Sequence, residues 1–87
     1  MSRVAYIVND VLGEMCVTLG ISGYEILDGH YTFADHQATL DAVYDAIWSM
    51  YDDDNPDNDA TADGYLDTLS ETNYTVMYWS TEAARWL

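Results

Sequence analysis

The chain has 87 residues, with sixteen Asp and Glu against two Arg and no Lys, for a formal net charge of −14 at pH 7. Small domains stay soluble at a net charge of roughly 2 to 8 in magnitude, so the excess answers another demand, and it excludes direct nucleic-acid binding, which draws its affinity from Lys and Arg on phosphates. A hydrophobic fraction of 49% with eight Tyr and three Trp excludes the aromatic-poor composition of disordered acidic tails.

Cys16 is the single cysteine, which excludes an intrachain disulfide and reads as a buried apolar thiol. No stretch approaches the ~18 apolar residues of a membrane span, and the start of the chain lacks a signal-peptide pattern. The expectation is one α+β domain over residues 1–87, located in the cytoplasm, with two or three helices packed on a small antiparallel sheet; a mainly α fold is the alternative.

In chain order, residues 3–19 place Ile7, Val8, Val11, Leu12, Met15, Cys16 and Leu19 at helical spacing. Ser2 is the candidate cap, and Gly20-Ile21 the candidate Schellman stop. Two strands compete with that helix, because Val4–Val8 is rich in β-formers and Gly13 weakens a helix. Asp28-Gly29, between two β-prone runs, predicts a type I′ hairpin, against which Ser22 and Glu25 offer a capping box for a short helix. A helix is predicted over 33–52 with Thr32 as N-cap and Asp35 three residues on; Leu40, Val43, Tyr44, Ile47, Met50 and Tyr51 form its apolar face. The run DDDNPDND breaks it. A second helix is predicted over 60–70, capped by Asp59, with Ala62, Tyr65, Leu66 and Leu69 inward. Residues 73–80 read as a strand by propensity, and the tail from Thr81 is too short to assign.

The acidic residues fall in rows. At ~100° per residue, Asp41, Asp45 and Asp52 lie within about 40° of one another, beside the apolar face. Asp59, Asp63, Asp67 and Glu71 follow one another at i, i+4. Each like-charge pair at that spacing destabilises a helix by about 0.2–0.5 kcal/mol, and no Lys alternates with them. Asp52, Asp53 and Asp54 sit at a predicted helix C-terminus, where the macrodipole disfavours anions, with Asp57 in the same acidic turn. The i, i+4 rise of about 6 Å is of the same order as phosphate spacing along a nucleic-acid strand, so two such rows suit a groove built for a polyanion.

In its short length, extreme negative charge, near absence of basic residues and aromatic content, the chain resembles the acidic nucleic-acid mimics that phages and mobile elements direct against host defence, the anti-CRISPR and anti-restriction proteins. The resemblance covers composition and the 41–71 stripe, matches no family motif, and implies no topology. It implies a non-catalytic inhibitor whose partner is a basic nucleic-acid-binding protein such as a Cas effector or a restriction enzyme. The partner-binding residues would be Asp41, Asp45, Asp52, Asp53, Asp54, Asp57, Asp59, Asp63, Asp67 and Glu71.

Three other readings compete. The first two are an acidic partner of some other basic protein and a halophilic domain whose self-repulsion is screened by salt. The third is a Ca²⁺ site. An EF-hand register from Asp53 puts Asn55, Asp57 and Asp59 at ligand positions, then fails at Asn58 and Gly64, where Gly and a bidentate Glu are needed. His30 and His36 do not form a metal pair, and no phosphate loop or nucleophile motif is present; neither catalysis nor a cofactor is expected. Trp48, which flanks the apolar face on the acidic side, and Trp79 and Trp86 are all expected in the core; an exposed Trp would be a candidate interface anchor.

Overall fold

The first nineteen residues divide at Asn9 instead of forming one helix: β1 (Arg3–Val8) runs into α1 (Asp10–Leu19) in the computed structural model, which describes residues 3–52 and 54–87. The β-formers Val4–Val8 follow their own propensity because strands elsewhere supply ladder partners. Asn9 starts the helix, its side-chain oxygen accepting from the Leu12 N–H at 3.1 Å. Ser2, the cap expected from sequence, lies outside the described residues. Gly20 is left-handed (φ 73°), and the Ile21 N–H bonds the Cys16 carbonyl at 2.9 Å, closing the Schellman stop. A Cβ on Gly13 would lie 2.0 Å from Tyr31 Cγ, so this glycine is where the helix meets the sheet.

β2 (Glu25–Leu27) and β3 (His30–Phe33) form the expected hairpin, with Asp28 at φ 52° and Gly29 at φ 81°, as a type I′ turn requires. The Ser22–Glu25 helix does not form. Phe33 belongs to β3, so α2 (His36–Ser49) starts later than expected. Its cap is Asp35, accepting from the Ala38 N–H at 3.0 Å. Thr32, the cap read from sequence, is instead a buried strand residue bonded to the Glu25 carbonyl. After Ser49 the chain tightens into a 3-10 turn, Met50–Asp52.

The next helix, α3 (Pro56–Ser70), begins four residues before the predicted start. Pro56 occupies the first turn, where its missing N–H costs nothing, and Asn55, not Asp59, is the cap, accepting from the Asp57 N–H at 3.0 Å. β4 (Thr75–Ser80) fulfils the strand expectation, and β5 (Arg85–Trp86), unassigned from sequence, pairs back on it.

The sheet order is β2-β3-β1-β4-β5, antiparallel throughout. Leu12, Met15, Cys16, Phe33, Val43, Ile47, Ala62 and Leu69 form the buried core, with Leu40, Tyr44, Met50, Tyr51, Tyr65 and Leu66 packed around it. The helices reach the sheet chiefly through β3. Beyond it β1, β4 and β5 continue as a ribbon, and the molecule measures 54 × 20 × 18 Å with a radius of gyration of 15.0 Å. A compact domain of this length has about 12 Å. The ribbon therefore projects from the helical body. Trp79 and Trp86 are part-buried on its surface, packed on each other at 5.0 Å and outside the main core, contrary to expectation. Tyr6 and His30 approach Trp86 at 6.4 and 6.3 Å, so the sheet is coiled toward that side.

Candidate functional site

α2 and α3 run antiparallel: His36, Leu40 and Tyr44 lie against Leu69 and Thr72, while Tyr51 meets Asp63. Of the sixteen acidic residues, ten fall between Asp41 and Glu71 and no Arg or Lys does. Asp41, Asp45, Asp54, Asp57, Asp59, Asp63, Asp67 and Glu71 are all exposed. Asp53 lies outside the described residues.

The first row is shorter than expected and turned outward. Asp41 and Asp45 share a stripe with Trp48, at i, i+4 and i+7, away from buried Val43 and Ile47. Asp52 does not extend it with helical spacing, because α2 ends at Ser49 and the 3-10 turn changes the rotation per residue. Gln37 donates to Asp41 at 2.9 Å. The second row holds: Asp59, Asp63 and Asp67 lie in α3, and Glu71, just past its end, keeps near-helical geometry with its N–H on the Asp67 carbonyl at 3.2 Å.

Local structure accounts for part of the acidic turn. Asp54 directly precedes the cap of α3 and Asp57 and Asp59 lie in its first turn, where the macrodipole favours anions. Asp54, read from sequence as lying at an unfavourable helix C-terminus, thus stands instead before a helix N-terminus. Asp41, Asp45, Asp63, Asp67 and Glu71 have no such compensation.

Two aromatic residues join the rows. Trp48 is 58% exposed, and its ring lies 5.3 Å from that of Tyr51. The Tyr51 hydroxyl donates to Asp63. That bond, then desolvation, then the field of Asp63, Asp59 and Asp67 push the Tyr51 phenol up to about 12. Contrary to the expectation of a core position, Trp48 is exposed and in register with Asp41 and Asp45, and no pattern in the sequence signals the Tyr51–Asp63 contact.

At the other end of α2, Asn9 and His36 are both buried. Asn9, its oxygen committed to capping α1, donates its amide to His36 Nε2 at 3.1 Å, which places the ring proton of the neutral imidazole on Nδ1. Phe33 and Tyr74 flank the ring at 5.7 and 4.4 Å, and desolvation lowers the His36 pKa below 6.5. The adjoining cavity, about 50 Å³, has room for one or two waters, far below the ~300 Å³ at which small-molecule sites begin. Cys16 is buried, and burial raises its thiol pKa. Among the described residues no group of three or more His, Cys, Asp or Glu is placed to hold a metal ion, and no helix is long and apolar enough to cross a membrane.

Compared with known protein families, curated proteins and solved structures, the chain has no match.

Proposed function

We propose that this protein is a non-catalytic inhibitor that presents carboxylates in place of phosphates and occupies the nucleic-acid groove of a basic host defence protein, a CRISPR–Cas effector or a restriction enzyme, in the cytoplasm of the host cell. The observation that supports the reading is the antiparallel α2–α3 hairpin, each helix of which carries an exposed carboxylate row, linked through the Tyr51–Asp63 hydrogen bond and with no Arg or Lys on either helix. Asp41, Asp45, Asp63, Asp67 and Glu71 are the principal contacts, and Trp48, at the end of the Asp41–Asp45 row, is the apolar anchor, since exposed Trp is enriched among residues that dominate binding energy. Asp52, Asp53, Asp54, Asp57 and Asp59 supply the surrounding field.

The test is competition. A purified Cas effector complex and a restriction endonuclease are each titrated with the protein in the presence of labelled cognate nucleic acid. Displacement of the nucleic acid, weakening steeply with added salt, supports the reading. A ternary complex in which the target holds both at once overturns it. Replacing Trp48 by Ala lowers affinity by about tenfold or more if it is the anchor.

A further inference from the structure

The ribbon carries a second surface, in which register and backbone phase leave one edge of β1 open. β3 pairs with β1 only at Ile7 and Val8 before turning away into α2, so among the described residues no strand covers the Arg3–Tyr6 stretch on the side opposite β4. The phase of that edge follows from two hydrogen bonds. The Asn9 N–H reaches the Tyr31 carbonyl at 3.1 Å, so the odd residues of β1 point their backbone groups toward β3 and, by alternation, Arg3 and Ala5 point theirs at the open edge. On the far side the Leu87 N–H bonds the Tyr78 carbonyl at 3.1 Å, which turns Trp79 and Met77 toward β1 to pair with Val4 and Tyr6. Both readings agree.

We propose that this edge is a homodimer interface, in which β1 of a second copy adds antiparallel across a two-fold axis at Val4. Arg3 of each copy then pairs with Ala5 of the other through both N–H and C=O, satisfying the backbone groups that these two residues point at the open edge. Val4 meets its symmetry mate in a non-hydrogen-bonded pair, where side chains approach most closely. Since Trp86, Trp79 and Val4 are Cα partners across three strands, the axis joins two such rows into one apolar band. Val4, Ala5 and Arg3 are exposed. The Arg3 guanidinium does not obstruct the edge, because it folds back across β4 over the Tyr78 ring (5.3 Å) and onto the Leu87 carbonyl (2.8 Å).

Charge favours a second copy in this geometry. Both arginines lie on the ribbon, one on either side of Ser80, and none of β1, β4 and β5 contains an acidic residue. Ribbon-to-ribbon contact sends the two acidic hairpins to opposite ends of an assembly built from 54 Å protomers, far beyond the ~8 Å Debye length at physiological ionic strength. Closed two-fold pairing also consumes the edge and stops growth at two.

Light scattering and sedimentation from low micromolar to near-millimolar concentration, in low and high salt, test the proposal. The expected result is a monomer–dimer equilibrium that tightens with salt, as screening relieves the repulsion between two copies. Replacing Ala5 by Pro removes a donor from the open edge and none from the β1–β4 ladder, so A5P keeps its circular dichroism and melting transition while dimerising at least about tenfold more weakly. Amide exchange gives a readout on the native chain: Ala5 slows as concentration rises, whereas Val4 and Tyr6, bonded to β4, are protected throughout. A wild-type chain that stays monomeric in both salts overturns the proposal, as does a folded A5P that dimerises undiminished, an association that salt weakens, or an Ala5 amide indifferent to concentration.

Discussion

The helical body and the ribbon are built on opposite terms. The body holds the buried core, yet its outer surface gathers acidic residues without a compensating cation. The ribbon holds both arginines and exposed Val76, Tyr78 and Leu87, at 52, 50 and 50%, with no helix packed over them. Like charges can crowd the hairpin because Val43, Ile47, Ala62 and Leu69 beneath them are at most 5% exposed, and apolar burial of that kind outweighs several like-charge pairs of a few tenths of a kcal/mol each. Stability resides at one end of the molecule and unsatisfied surface at both.

Core truncation is the largest break of this contrast. Replacing fully buried Leu12 by Ala costs about 2–5 kcal/mol, whereas Tyr78→Ala on the ribbon costs less than about 1 kcal/mol; chemical denaturation of both variants makes the comparison, and equal losses would mean that the ribbon is part of the core. Gly13→Ala comes next. Helix propensity alone favours Ala by about 1 kcal/mol, but the new Cβ collides with the Tyr31 ring base, and overpacking of this kind costs about 1–3 kcal/mol or more. The variant therefore melts lower than wild type.

Charge reversal sharpens the electrostatic half of the comparison. Asp67→Lys with Glu71→Lys leaves the fold intact and steadier by roughly 0.5–1 kcal/mol, since the repulsive Asp63–Asp67 pair becomes an attractive one and cations reach the C-terminal turn of α3, while the 67–71 pair stays like-charged. Target binding falls by at least about tenfold if charged contacts of this kind carry it. Reversal at exposed Glu14 and Glu25, outside the hairpin, has much the smaller effect on binding. Asp10 is no suitable control, because it accepts from the Tyr31 N–H at 2.9 Å and contacts His30 at 3.2 Å.

Two titrations, smaller in effect, report on the body alone. The folded His36 pKa is lowered, so the unfolded chain binds the proton more readily. Stability from neutral His36 is present above pH 6.5 and lost as pH falls through the folded value. The stability difference between wild type and His36→Gln accordingly narrows on acidification, and a difference that widened would reverse the assignment. Tyr51 has the opposite sign. Its folded pKa lies above 10, so its contribution is intact below pH 10 and lost as pH climbs to about 12. Tyr51→Phe removes a phenolate transition near pH 12 from an ultraviolet titration.

How much of this was legible in the chain depended on the range of the interactions involved. The Asp28-Gly29 turn and the Gly20-Ile21 stop were readable because left-handed backbone and nearby hydrogen bonds settle them within a few residues. The apolar face of α2 was readable because its period is helical over several turns, and the acidic residues of α3 kept the spacing their sequence positions predict. Residues 3–8 were ambiguous, since a strand is stabilised by partners, here β3 and β4, that lie far along the chain. The start of α3 was missed because Asp59 and Asn55 are both competent caps, and Pro56 favours the earlier one by fitting the first turn. Charge excess and its concentration between Asp41 and Glu71 were visible in the sequence, but the placement of the two arginines was not. Only the pairing of β1, β4 and β5 set Arg3 and Arg85 on either side of Ser80, and only the packing of α3 on α2 brought Tyr51 to Asp63, because tertiary contacts join positions that no local pattern connects.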